Sequence, residues 1–107
     1  MNEREKGAIR EKKAMEVLKR KNFTKIERQK SYDFGAWKEG QHYIVEVKGG
    51  EPKKNKNVPG LSFEQMKTLA EYRSKGSRAL LMFVIHDKCS IFEMVDDITQ
   101  APEIQLT

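Results

Sequence analysis

Glu46 and Lys48 lie in His-Tyr-Ile-Val-Glu-Val-Lys (residues 42–48), the most strand-like stretch of the chain. Strand alternation puts both on one sheet face with Ile44, and Tyr43, Val45 and Val47 on the other. Asp33 precedes them in an aromatic-rich stretch, and a tight reversal at Glu39-Gly40 would bring it beside Glu46. Two carboxylates and one ammonium then converge. Adjacent carboxylates repel, and a bridging divalent cation removes that cost. Mg²⁺ takes one or two carboxylates and fills its octahedron with water and phosphate oxygens; Mn²⁺ suits the same donors. Such a cation acidifies water and stabilises charge on a phosphate, while Lys48 can orient or deprotonate the water or neutralise developing charge. These are the requirements of phosphodiester hydrolysis. The competing reading makes Glu46–Lys48 an exposed edge-strand pair and Asp33 a turn residue. Glu11 adds a third carboxylate. It falls on the helical stripe Gly7–Glu11–Ala14–Leu18, where burial demands a partner or a metal. Alternatively, the first turns overhang the sheet and Glu11 is solvated.

The elements that position these residues follow from local chemistry. Residues 3–21 are rich in helix formers, carry Ala14, Val17 and Leu18 as an apolar stripe, and end at Asn22. Residues 23–30 and 32–38 read as strands, turned at Glu39-Gly40 into 42–48. Residues 49–60, with Pro52, Pro59 and Lys53, Lys54 and Lys56, read as a mobile basic loop. Ser62 and Gln65 have capping-box spacing for a helix to about Lys75, offering Phe63, Met66, Leu69, Ala70 and Tyr72 to the core, with Gly76 as its stop. Ala79–Ile85 is a buried strand, His86-Asp87-Lys88 a turn, and Ser90–Val95 a last strand. The order predicts an α/β sandwich with a central mixed sheet of about five strands flanked by two helices. Residues 1–95 form one domain and 96–107 an acidic tail.

Composition narrows the function classes. The 107 residues carry 21 Lys+Arg and 16 Asp+Glu, for a net charge of +5. Residues 1–30 hold eleven basic and five acidic residues, and residues 53–78 hold seven and two, whereas 86–107 hold one and five. Two basic segments point to a polyanion, of which nucleic acid is the commonest. The longest wholly apolar run, Ala79–Ile85, is too short to span a membrane. No apolar leader opens the chain, and the single Cys89 excludes an intrachain disulfide or a cysteine metal site. A reducing, cytoplasmic setting is the expectation. His42 and His86 read as surface residues, Phe34 and Trp37 as core with stacking on bases or a dimer partner as the alternative, and Cys89 as a buried filler. Beside a phosphodiester-cleaving site, Lys53, Lys54 and Lys56 would meet the DNA backbone, as would Lys6 and Arg10 near Glu11.

Together these residues resemble a known superfamily. Asp33, with twelve residues before Glu46-Val47-Lys48, resembles the PD-(D/E)xK nuclease core. Lys6-Gly7-Ala8-Ile9-Arg10-Glu11 resembles the Lys-Gly-x-x-x-Glu opening of archaeal Holliday-junction resolvases. Leu18 and Phe23, four residues between them, resemble the end of their first helix, with Asn22 where Gly is usual. Val58-Pro59 and Phe63-Glu64-Gln65 resemble the segment after the active site. The resemblance covers roughly residues 5–95. It implies a restriction-endonuclease-like sandwich of two or three layers, and a homodimer that cuts branched DNA with Mg²⁺. Asp33, Glu46 and Glu11 would hold metal, Lys48 would serve the water or the transition state, and Gln65 would support the site. Ser31 matches the family's hydroxyl residue. The stretch Gln29-Lys30-Ser31-Tyr32 is shorter and bulkier than the family's and lacks a Pro before Asp33, which bears on branched-DNA specificity more than on chemistry. The alternatives are a nuclease of the same superfamily with a repair, restriction-type or phage-encoded role, and a basic nucleic-acid-binding module whose carboxylates are structural.

Overall fold

Asn2 starts the first helix by accepting the Glu5 N–H on its side chain at 2.8 Å. The computed structural model describes residues 2–49 and 61–94. Helix α1 (Glu3–Arg20) has acids in its first turn and bases in its last, as the helix dipole favours. It is released by Asn22 at φ 69°, a left-handed conformation that asparagine tolerates. Strand β1 (Thr24–Arg28) follows, bulged where Lys25 takes φ 49° and the register shifts between Thr24 and Glu27. Strands β2 (Phe34–Lys38) and β3 (Gln41–Gly49) form a hairpin through Glu39 and Gly40, both at positive φ. Two such residues give the turn the twist that a two-residue hairpin requires. The strands expected at 23–30 and 32–38 are shorter than read. The reversal between two antiparallel neighbours takes up residues 29–33.

Helix α2 (Phe63–Ser74) has the complete capping box of Ser62 and Gln65. It ends through Lys75 into Gly76 at φ 103°. Strands β4 (Arg78–Ile85) and β5 (Lys88–Met94) close the sheet, with His86 at φ 51° in their turn. The strand order is β1-β2-β3-β4-β5, and β3–β4 is parallel while the other neighbours are antiparallel. A parallel pair needs a crossover, and α2 lies on it.

The helices cover opposite faces, so the sandwich has three layers. Ala14, Val17 and Leu18 of α1 pack with Phe34, Tyr43, Val45, Leu80 and Met82. Leu69 of α2 packs with Ile44, Ala79, Leu81, Phe83, Phe92 and Met94, joined by Tyr32. Phe34 is fully buried, as expected, but Trp37 is 40% exposed. It sits on the α2 face over β1–β2, where α2 does not reach. His42 is half-buried, and its Nδ1 lies 2.8 Å from Ser77 Oγ, so it is not a free surface residue. His86 is exposed and Cys89 is half-buried. Among the described residues, no helix is long and apolar enough to cross a membrane. The acidic tail, the domain boundary at 95/96, the Val58-Pro59 motif and Lys53, Lys54 and Lys56 lie outside the described residues, as does the Phe63 side chain.

Candidate active site

Alternation along β3 places Ile44, Glu46 and Lys48 on the α2 face. Ile44 is fully buried there, and Glu46, opposite Leu81 of β4, is 4% exposed. Lys48 follows at the strand end with its side chain 18% exposed and its Nζ 3.5 Å from Glu46 Oε2. The β2–β3 register continues past Phe34↔Val45 to set Asp33 opposite Glu46. Asp33 is locked in place by its own backbone: its N–H donates to Val45 O at 3.1 Å, and its carbonyl accepts from Gln29 N at 3.2 Å. Its Oδ2 accepts the Val47 N–H at 2.7 Å.

Gln65 joins the cluster from the first turn of α2. Its Nε2 donates to Glu46 Oε2 at 3.0 Å, and its Oε1 accepts from Lys48 Nζ at 3.2 Å and from Ser62 N at 3.0 Å. One amide therefore caps the helix and bridges the acid to the base. Burial, reinforced by the negative charge of Asp33 and only partly offset by Lys48, pushes the Glu46 carboxyl up to about 7. Glu93, the other buried carboxylate, is treated differently. It is 6% exposed and gripped by both Nε and Nη2 of Arg78. Glu46 faces a second carboxylate instead. Two hard oxygen donors with surplus negative charge fit a divalent cation such as Mg²⁺ or Mn²⁺, which takes one or two carboxylates and keeps water besides.

The remaining predicted residues are spread around this centre. Glu11 is half-buried on the α1 side, where its Oε1 accepts from Arg28 Nη1 at 2.7 Å. Among the described residues, no three Asp, Glu, His or Cys side chains gather as a metal-holding group, so Glu11 does not complete a triad with Asp33 and Glu46. Arg28 was missed in the sequence; the only local signal was a lone arginine ending a polar strand. Arg10 reaches the site end of the sheet from the other face. Its guanidinium packs on Gly49, where a Cβ would stand 2.6 Å from its Nε. Lys6 is exposed, 3.6 Å from Glu3. Ser31 is exposed in the β1–β2 connection.

No family pattern matches the sequence, and no curated protein matches it. A solved structure does: Hjc of Archaeoglobus fulgidus, a Holliday junction resolvase from an archaeal hyperthermophile. The TM-score is 0.65 over 94% of this chain and 84% of that one, at 19% sequence identity. The chain shares the fold of that protein. At that identity the likeness is one of architecture, and it agrees with the restriction-endonuclease-like sandwich that the motifs imply.

Proposed function

We propose that the chain is a divalent-metal-dependent DNA endonuclease that hydrolyses phosphodiester bonds in branched DNA as a homodimer. One observation carries this reading. A buried carboxylate is set against a second carboxylate, beside a lysine, on a resolvase-like scaffold. Asp33 and Glu46 would hold Mg²⁺ or Mn²⁺. When bound, the cation supplies Lewis acidity to a phosphoryl oxygen and acidity to water.

The side chains do the rest. Glu46 must lose its proton to act as a donor. The Val47 N–H fixes the orientation of Asp33. Lys48, held by Glu46 and Gln65, presents an ammonium that orients the attacking water and neutralises charge developing on the phosphate. Gln65 holds the acid and the base at fixed separation. Arg28 neutralises Glu11 and keeps that carboxylate close to the α1 side of the sheet. Lys6, Arg10, Ser31, Lys53, Lys54 and Lys56 would bind backbone phosphates, which gives affinity without sequence preference. A single domain with one such site cuts one strand, so symmetric cutting of a junction calls for two copies.

The test is a cleavage panel of four-way junction, flap and plain duplex with Mg²⁺ or Mn²⁺, run with light scattering for oligomeric state. Junctions cut by a dimer are expected. Glu46→Ala and Lys48→Ala should each lose about 10²- to 10⁴-fold in rate with DNA affinity largely kept. Equal cutting of duplex would end the branched-DNA part and leave a nuclease with another target. No cutting of any substrate would reduce the chain to a nucleic-acid-binding module.

A further inference from the structure

The sheet face that carries Glu46 and Lys48 is only partly covered. Helix α2 packs on β4 and reaches Tyr32, which stands over Gly35, through Tyr72, while among the described residues Trp37, farther along β2, stays exposed. His42, Ile44, Glu46 and Lys48 alternate along this face, and the β2–β3 register adds Gly35 opposite Ile44 and Trp37 opposite His42. Trp37 is 40% exposed, and its ring centroid lies 4.9 Å from that of His42 at a tilt of 60°. The imidazole is anchored from behind by Ser77. Gly35 lies beneath His42 and Tyr32, where a Cβ would stand 3.3 Å from His42 Nε2 and 3.6 Å from Tyr32 Oη. Lys25, Glu27 and Gln29 form the rim of a shallow cleft of about 80 Å³.

Leaving an indole in water forgoes its burial energy, and here the ring rests against His42 in that position. The cleft is too small to engulf a ring, so a planar group would lie over Trp37 and His42 with its edge toward the amide, carboxylate and ammonium of the rim. That combination of an aromatic face and a polar edge matches a nucleobase. A second copy of the chain fits less well. A stable interface buries about 800 Å² per partner, whereas one indole offers at most about 250 Å², and here it is ringed by charge. His42 lies four residues from Glu46 on one strand, about 13 Å at 3.3 Å per residue. A single DNA molecule can therefore reach both. Inside a paired duplex the base faces are occupied by neighbouring bases, so only an unpaired base, or the terminal pair of an open end, can take the platform.

We infer that Trp37 and His42 form a stacking platform for an unpaired nucleobase of the DNA held at the Glu46–Lys48 site. This rests on the proposed nuclease reading and sharpens its substrate to branched DNA that offers an unpaired base, as a flap or an opened junction centre does, about 13 Å from the cut, by the strand spacing above. Trp37 is the single tryptophan of the chain, so its fluorescence reports the platform directly. In chelator, a flap substrate and a single-stranded oligothymidine are expected to quench its emission, and a closed circular duplex, which has no ends, to bind without quenching. Trp37→Ala should weaken flap binding about 5- to 150-fold and leave duplex binding within about two-fold, while Trp37→Phe keeps most of the flap affinity and controls for folding. Unchanged emission at saturating flap DNA would overturn the inference. So would equal quenching by duplex, or emission that moves with protein concentration alone, the sign of a second copy on the patch. Quenching by flap DNA without metal-dependent cutting would keep the platform and sink the nuclease reading. Cutting without quenching would do the reverse.

Discussion

Glu46 and Glu93 are both buried, and their partners separate structure from chemistry. Glu93 has Arg78 against both its oxygens, a closed pair. Glu46 has Gln65, Lys48 and an opposing carboxylate, and holds its proton up to about pH 7. Its unfolded-state value is near 4.5. A carboxyl whose folded pKa is raised favours the fold while protonated and costs stability as it ionises. The metal-free protein should therefore lose stability as pH rises from about 4.5 through about 7, by on the order of 3 kcal/mol. Glu46→Gln should remove this slope. Denaturant titrations of both proteins in chelator across that window measure it, and parallel curves would refute it. The cluster was legible in the sequence because parity along one strand and one hairpin turn suffice to assemble Asp33, Glu46 and Lys48. The Glu11–Arg28 pair was not, because it joins residues from separate elements across the α1 side of the sheet.

Gln65 ties an element to the site. Its side chain closes the capping box and bridges Glu46 to Lys48, so helix initiation and site assembly share one residue. Substitutions can separate the two roles. Ser62→Ala removes the cap alone and should cost about 1 kcal/mol of stability with little change in cleavage. Gln65→Glu keeps a capping-box acceptor, since Glu and Gln both serve at that position. It replaces the Nε2 donor with a third negative charge beside Glu46. Its metal-free stability should fall with the added repulsion and the lost bond to Glu46, its cleavage rate should fall at least about tenfold, and its pH profile should shift upward. Thermal melts and rate–pH curves on the same preparation check this, and equal rates for Gln65→Glu and wild type would contradict it. The helix ends at Asn22 and Gly76, the Glu39-Gly40 turn and the Ser62 cap were all readable, because each is set by local backbone chemistry. The β1 bulge at Lys25 and the exposure of Trp37 were not. The first has no residue-type signature here, and the second depends on how much of the sheet α2 happens to cover.

For the whole molecule, charge and topology set the terms of binding. Arg10 and Arg28 stand at the end of the sheet where β3 finishes. DNA affinity should fall linearly with the logarithm of salt concentration. Replacing Lys53, Lys54 and Lys56 together with alanine should flatten the slope by about 2 to 3 if each meets one phosphate. Anisotropy titrations between about 50 and 200 mM salt read it, and an unchanged slope would take those lysines off the DNA. The five-strand mixed architecture was predictable from element order alone; the third layer required knowing which face each helix takes. The parallel β3–β4 pair has a consequence for the order of assembly. Asp33 and Glu46, thirteen positions apart, meet through a two-residue turn, whereas Gln65 and β4 join only after a long crossover has closed. Local pairing forms sooner than non-local pairing. The nascent hairpin therefore carries two opposed carboxylates before Gln65 arrives to brace them. A divalent cation present from the start of refolding should speed that step, visible in stopped-flow traces as a faster folding limb that Glu46→Gln no longer shares.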